Sequence, residues 1–398
     1  MTGGAPAAPS AVESSAGNPG HLRDVLRYFL RLGTFGFGGP IALAGYMQRD
    51  LVEKRGWISK KDYVDGLALA QLAPGPLAAQ LAIYLGWAKG RVFGATAVAA
   101  AFILPSFAMV MVLSALYVRF GGLPWMQRAF YGIGAAVIAI IARSAFKLVK
   151  MTLGKDRLLW GLFAASAVVT AWTESEIIWL FLGSGVVALV VRGRWRGGGA
   201  LTALFPPGIV IALADAATTG AAVSWPLLGR IAIYFAEAGA FVFGSGLAIV
   251  PFLHGGAVNQ YHWLTERQFL DAVAVAMITP GPVVITVAFI GYLVAGPLGA
   301  VAASIGVFLP CYLFVVIPAP YFRRFADNPK LRAFVDGVTA AATGAIAGAA
   351  FVLGRRALID LTTVAIAVAT WLIFTRFKKV PEPLVILAAG VAGLVLQR

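Results

Sequence analysis

The chain has 398 residues, 60% of them hydrophobic and 12% charged, with a net charge of +15. Soluble domains carry about 25% charged residues, so the composition excludes a soluble globular fold and points to a membrane protein. The apolar runs are continuous rather than alternating, which excludes a β-barrel, and the basic residues are scattered through short loops, which argues against a nucleic-acid partner.

In chain order, residues 1–20 are small, polar and rich in Gly and Pro, and read as a disordered tail without the basic and apolar regions of a signal peptide. Residues 21–200 form a first unit with apolar segments at roughly 24–47, 64–87, 92–118, 129–149, 158–173 and 176–192. A linking region, 201–226, holds a weaker apolar segment containing Asp215. Residues 227–398 form a second unit, with segments at roughly 228–252, 269–294, 297–321, 333–354, 357–375 and 381–397. Most are near the ~20 residues that cross a bilayer as helix. The expected class is an all-α polytopic membrane protein embedded in a lipid bilayer.

The two units are copies. At an offset of 206, Trp57 meets Trp263, Asp65 meets Asp271, and Pro74-Gly75-Pro76 meets Pro280-Gly281-Pro282. After one residue is lost, Leu104-Pro105 meets Leu309-Pro310 at 205. The loop after the first segment carries Arg49, Lys54, Arg55, Lys60 and Lys61 in the first copy, and only Arg267 in the second. Equivalent loops so unequal in charge imply inverted-topology repeats.

The first two segments of each copy are interrupted by glycine and proline at Gly38-Gly39-Pro40, Pro74-Gly75-Pro76, Gly244-Ser245-Gly246 and Pro280-Gly281-Pro282. Folding these segments as re-entrant hairpins, with the linking segment crossing once, places most of the 32 basic residues on one side. Arg119, Arg128, Arg230, Arg267, Arg355, Arg356 and Arg398 remain on the other. Intact spans would load the two sides more evenly, so broken segments are preferred. Backbone freed at such depth needs protein or a water-filled cavity to satisfy it. Proline placed after glycine suits the first helical position, so half-helix N-termini, which attract anions, are expected to point into the membrane centre. Glycine and proline also serve as kinks and close-packing sites in membrane helices.

Further candidates are polar residues within apolar segments. Glu237 is an intramembrane carboxylate suited to carrying a coupling proton; its counterpart is Arg31, with which it could instead form a structural pair. Asp65 and Asp271 stand at matched helix starts, and Arg143 could attract an anion or simply snorkel. Gln71, Gln80 and Thr279 flank the Pro-Gly-Pro motifs and could donate to an oxyanion. The single Cys311 precludes an internal disulfide, three histidines are too dispersed for a metal centre, and no cofactor is expected.

The stretches FGFGGPIALAGYM, RGWISKKDYVDGLALAQLAPGPLAAQLAIYLGW and FVFGSGLAIVPFL with WLTERQFLDAVAVAMITPGPVVITVAFIGY resemble the chromate ion transporter family, in particular its long-chain two-repeat members. The resemblance spans almost everything after residue 21. It implies two halves of opposite orientation, export of chromate across the inner membrane driven by membrane potential or a proton gradient, chromate resistance, and sulfate as competitor. Homo-oligomerisation stays open. Transport of sulfate or another divalent oxyanion is the alternative. A membrane-embedded enzyme is the rival of another class, but it needs a clustered nucleophile or metal set that this sequence does not offer.

Overall fold

A computed structural model of the chain describes residues 20–37, 39–120, 123–173, 178–193, 224–241, 243–244, 249–322, 328–377 and 380–396. The expected tail up to residue 19 and residues 201–223 of the linking region lie outside the described residues.

The first helix, α1 (Leu22–Phe35), is amphipathic: Val25, Tyr28, Phe29 and Leu32 fill the core, while Arg23, Arg27 and Arg31 stay exposed. The chain leaves the helix at Gly36 and returns as α2 (Gly39–Met47), continued by a π-helical turn (Gln48–Lys54). The return is a hairpin. The Arg55 guanidinium lies 5.7 Å over the Tyr28 ring and 4.4 Å over that of Trp57, so the end of the return stands beside the outer turns of α1.

A second hairpin follows. Helix α3 (Lys60–Leu72) begins at Ser59, whose hydroxyl accepts from the Asp62 N–H. It stops before an extended pair, β1 (Gly75–Pro76), and α4 (Leu77–Phe120) begins immediately afterwards. Helix α4 is broken at Gly90 and Arg91 and doubles back there, bringing Gly86 against Gly94 and Val98. Unbroken helix would hold Gly86 and Val98 about 18 Å apart. The first arm of α4 therefore pairs with α3, with Gly66 against Tyr84, and only the arm from Val92 onward crosses. Helices α5 (Pro124–Thr152), α6 (Arg157–Thr173) and α7 (Ile178–Gly193) complete the first repeat.

The second repeat reproduces this order. Helix α8 (Trp225–Phe241) leads to β2 (Phe243–Gly244), then to α9 (Ile249–His254) with its own π-helical turn (Gly255–Gln260). Next come α10 (Glu266–Ile278), a 3-10 turn (Val283–Ile285), and α11 (Thr286–Val316), which is broken at Ala295 and Gly296. Helices α12 (Pro329–Ala357), α13 (Leu361–Arg376) and α14 (Glu382–Leu396) follow. Tyr234 closes the hairpin of α8 and α9, its ring 5.5 Å from those of Phe252 and Trp263.

The two repeats are inverted. Thr96, near the start of the crossing arm of α4, bonds the Tyr312 hydroxyl near the end of α11 at 2.7 Å. Tyr117, near the end of that arm, donates to Asp271 in the hairpin of the other repeat, also at 2.7 Å. The crossing arms thus run antiparallel, and each starts at the hairpin mouths of its own repeat, so those mouths open on opposite faces. The first repeat's mouths lie on the face that carries Arg49, Lys54, Arg55, Lys60, Lys61 and Lys89, called the basic face below.

The repeats also exchange helices. Gly132 of α5 rests on the Ala389 carbonyl of α14, and its repeat equivalent, Gly337 of α12, rests on the Ser184 carbonyl of α7. Arg192 at the end of α7 fastens this exchange, bonding Asp336 of α12 and Asp156 of the loop between α5 and α6 at 2.5 Å each. Its hydrogen bond holds the Asp156 carboxyl below the usual range. Phe93, Leu104 and Val112 on α4 and Leu298, Ile305 and Leu309 on α11 stay exposed. On helices long and apolar enough to cross a membrane, such positions face lipid. The chain is an all-α polytopic membrane protein with re-entrant helices.

Close approach explains two glycines. A Cβ at Gly33 would strike the Phe102 carbonyl, and one at Gly239 the Val307 carbonyl, the same contact in both repeats. Gly33→Val and Gly239→Val should each cost about 1–3 kcal/mol through overpacking and lower the melting temperature in detergent by several degrees. Gly45→Ala on α2, where open space surrounds the Cβ position, should leave it unchanged or raise it.

Candidate functional site

Each Pro-Gly-Pro turn pairs with the interrupted hairpin of the other repeat. The extended Gly75-Pro76 pairs in parallel with Phe243-Gly244, in the register Gly75 to Phe243 and Pro76 to Gly244. The Gly281 N–H donates to the Gly36 carbonyl at 2.9 Å. The Pro-Gly-Pro turn of one repeat therefore lies across the interrupted hairpin of the other, twice. Gly38, Ser245 and Gly246 lie outside the described residues.

Only glycine fits the middle of these turns. Gly75 has φ +135° and Gly281 φ +103°. A Cβ at Gly75 would also meet Gln80 and the Cys311 sulfur, and one at Gly281 would meet the Ser106 hydroxyl. Ala73 and Thr279, each followed by a proline, are extended, as are Pro76 and Pro282. Helix resumes at Gly39 with Pro40 in its first turn, at Leu77 just after Pro76, and as the 3-10 turn just after Pro282. The proline thus precedes the new helix at both Pro-Gly-Pro turns rather than opening it. First-turn amides of α2 and α4, which have no acceptor within their own helices, face the crossings.

The side chains sort by position. Gln80 is fully buried, and its Nε2 donates to the Pro74 carbonyl at 2.6 Å. Its Oε1 has no partner. Thr279 is buried, with its hydroxyl donated to the Val275 carbonyl at 2.6 Å. Gln71 is exposed near the inner end of α3. Asp271 is buried and takes the Tyr117 hydroxyl, joining α10 to the end of α4 across the repeat boundary. Asp65 is half-buried at the matched place. Arg31 and Glu237 are exposed one to two turns before their breaks, and no ion pair joins them. Arg143 is not brought to the crossings: its guanidinium stacks 4.8 Å over Phe374 of α13.

Two residues at the crossings were not singled out in the sequence. Ser106 donates to the Gly33 carbonyl at 3.2 Å, beneath Gly281. Cys311 stands at the matched place beneath Gly75, its thiol 3.0 Å from the Val307 carbonyl. Each directly follows the proline of the repeated Leu-Pro pair. A proline within a helix removes a backbone hydrogen bond, so a small polar residue beside it was the available signal.

A family profile described as "Chromate transporter" matches residues 23–189 and again 229–394. The chain belongs to the chromate transporter family. It is 58% identical over 376 residues to the "Chromate transport protein" of Cupriavidus metallidurans, covering 94% of this chain and 93% of that relative. It is 54% identical over 378 residues to the "Probable chromate transport protein" of Synechococcus elongatus, covering 94% and 95%. The "Chromate transport protein" of Pseudomonas aeruginosa is 34% identical over 379 residues, covering 92% and 90%. No solved structure matches the chain.

Within this family the crossed turns make a sharp test. Gly75→Ala and Gly281→Ala each place a side chain at positive φ and in occupied space, at about 1–3 kcal/mol of strain. Each should lower initial transport rates at least about ten-fold while the protein still elutes as a single species in detergent. Gln80→Leu strips the Pro74 carbonyl of its buried donor and should lower the rate by a similar factor.

Proposed function

We propose that this protein exports chromate from the cytoplasm across the inner membrane and so confers chromate resistance. The observation that carries the reading is the similarity over both repeats to relatives named chromate transport proteins. The first unit spans about 21–200 and the second 227–398, joined by a linking membrane segment. The basic face is the cytoplasmic one.

Chromate binds between the crossed breaks, near Gly38-Gly39-Pro40 and Pro74-Gly75-Pro76 of one repeat and Gly244-Ser245-Gly246 and Pro280-Gly281-Pro282 of the other. Helix N-termini there offer amide donors and partial positive charge, and a tetrahedral dianion takes both. Alternating access rocks the hairpins of one repeat against the other around this site. Amide recognition reads charge and shape rather than the central atom, so sulfate competes.

The driving force follows from charge. Moving one elementary charge through 100 mV is worth about 2.3 kcal/mol, so a dianion leaving a negative interior gains about 4.6 kcal/mol, more than a thousand-fold in concentration. Glu237, exposed on α8 within the membrane, is the carboxylate placed to add a proton-coupled component.

Everted vesicles containing the wild type should accumulate chromate when the membrane potential is imposed, and excess sulfate should inhibit this. Glu237→Gln should retain the potential-driven component and lose dependence on a pH gradient. Vesicles that take up no chromate above an empty-vector background would refute the substrate assignment.

A further inference from the structure

The outward face of α1 and its counterpart on α8 differ in charge. Arg23, Arg27 and Arg31 recur every fourth residue, so they share one face over about 12 Å of helix, and all three are exposed. Arg31 stands about one turn before the end of α1 at Phe35. Asp24 is on the same face, 3.9 Å from Arg27. No ion pair holds Arg23 or Arg31 among the described residues.

At an offset of 206 the α8 face carries Gly229, Arg230, Ile233 and Glu237. Gly229, Ile233 and Glu237 are exposed, and Arg230 is half-buried. The mouth residue therefore changes from Asp24 to Arg230, the middle from Arg27 to Ile233, and the deep residue from Arg31 to Glu237. The α1 face sums to two positive charges with its deepest member positive. The α8 face sums to zero with its deepest member negative.

A guanidinium this deep costs several kcal/mol against lipid. An exposed arginine one turn from a break is thus stable where water reaches it. Exposed Leu30 and Phe35 flank the row, so the charged stripe is narrow. A dianion approaching from the basic face meets Arg27 and then Arg31 before the crossed turns. One approaching from the opposite face meets Ile233 and then Glu237.

We propose that Arg23, Arg27 and Arg31 form a one-sided access track for a divalent oxyanion, with Glu237 disfavouring the same ion on the opposite side. This rests on the transport reading above and adds the residues that make substrate capture unequal on the two faces. The track raises the rate of encounter and lowers KM from the basic face. It leaves the final gradient, which the coupling energy sets, unchanged.

The test is initial chromate uptake against concentration in everted and right-side-out vesicles, at about 20 mM and about 200 mM salt, where the screening length falls from about 20 Å to about 7 Å. From the basic face, wild-type KM should be lower and should rise several-fold with salt. Arg27→Gln and Arg31→Gln should raise the low-salt KM about three- to ten-fold, flatten its salt dependence and leave kcat near wild type. KM from the opposite face should not move, while kcat in that direction, which ends in release through the track, should fall by the same factor, so the final gradient is preserved. Arg31→Lys, which keeps the charge, should behave as wild type. Equal KM changes from both faces, a wild-type KM insensitive to salt from the basic face, or an Arg31→Lys variant as impaired as Arg31→Gln would overturn the track. Wild-type vesicles that move sulfate but not chromate would overturn only the chromate assignment, and the same comparisons made with sulfate then decide the track.

Discussion

A backbone N–H or C=O stranded in hydrocarbon costs several kcal/mol, and this fold depends on how it meets that constraint. Among the described residues, the helices break at Gly36, at Pro74–Pro76 and at Pro280–Pro282. Their polar groups find partners in the opposite repeat: Gly75-Pro76 on Phe243-Gly244, and Gly281 on Gly36. Bonds within the first repeat, from Gln80 to the Pro74 carbonyl and from Ser106 to the Gly33 carbonyl, add to these crossings. The crossings are held by protein, and α2 and α4 begin beside them.

The exchange of outer helices follows the same logic at the periphery. Helix α5 packs on α14 and α12 packs on α7 through matched small residues, Gly132 on Ala389 and Gly337 on Ser184. Small residues let backbones approach closely where lipid offers no hydrophobic drive to association. Each repeat is incomplete alone, both at its centre and at its edge. Sliding one repeat relative to the other would disturb both crossings together.

Symmetry of backbone coexists with asymmetry of chemistry. Ser106 beneath one Pro-Gly-Pro turn becomes Cys311 beneath the other. Tyr117 holds Asp271, but at the matched place Phe322 has no hydroxyl to offer Asp65. His254 bonds Glu266, which also pairs with Arg356, where the first repeat has Gln48, Lys60 and Met151. Arg31 faces one side and Glu237 the other. A fully symmetric pair of repeats would present the same chemistry to both faces of the membrane, and these substitutions make the two faces differ.

The sequence by itself determined that the chain spans a membrane, that it is duplicated, and where its helices break. Composition, a 206-residue offset and Gly/Pro punctuation are local or periodic signals, and they survive without coordinates. Unequal loop charge also pointed to inversion, because charge placement follows membrane sidedness. Which break meets which was decided only by the tertiary structure: pairing across repeats is a contact between residues about 170 or 245 apart, and no local propensity encodes it. The same holds for the burial of Gln80, the bond from Tyr117 to Asp271, and the removal of Arg143 to a ring on α13. In hydrocarbon each polar group is settled by whichever partner packing brings within reach, and that choice belongs to the assembled fold.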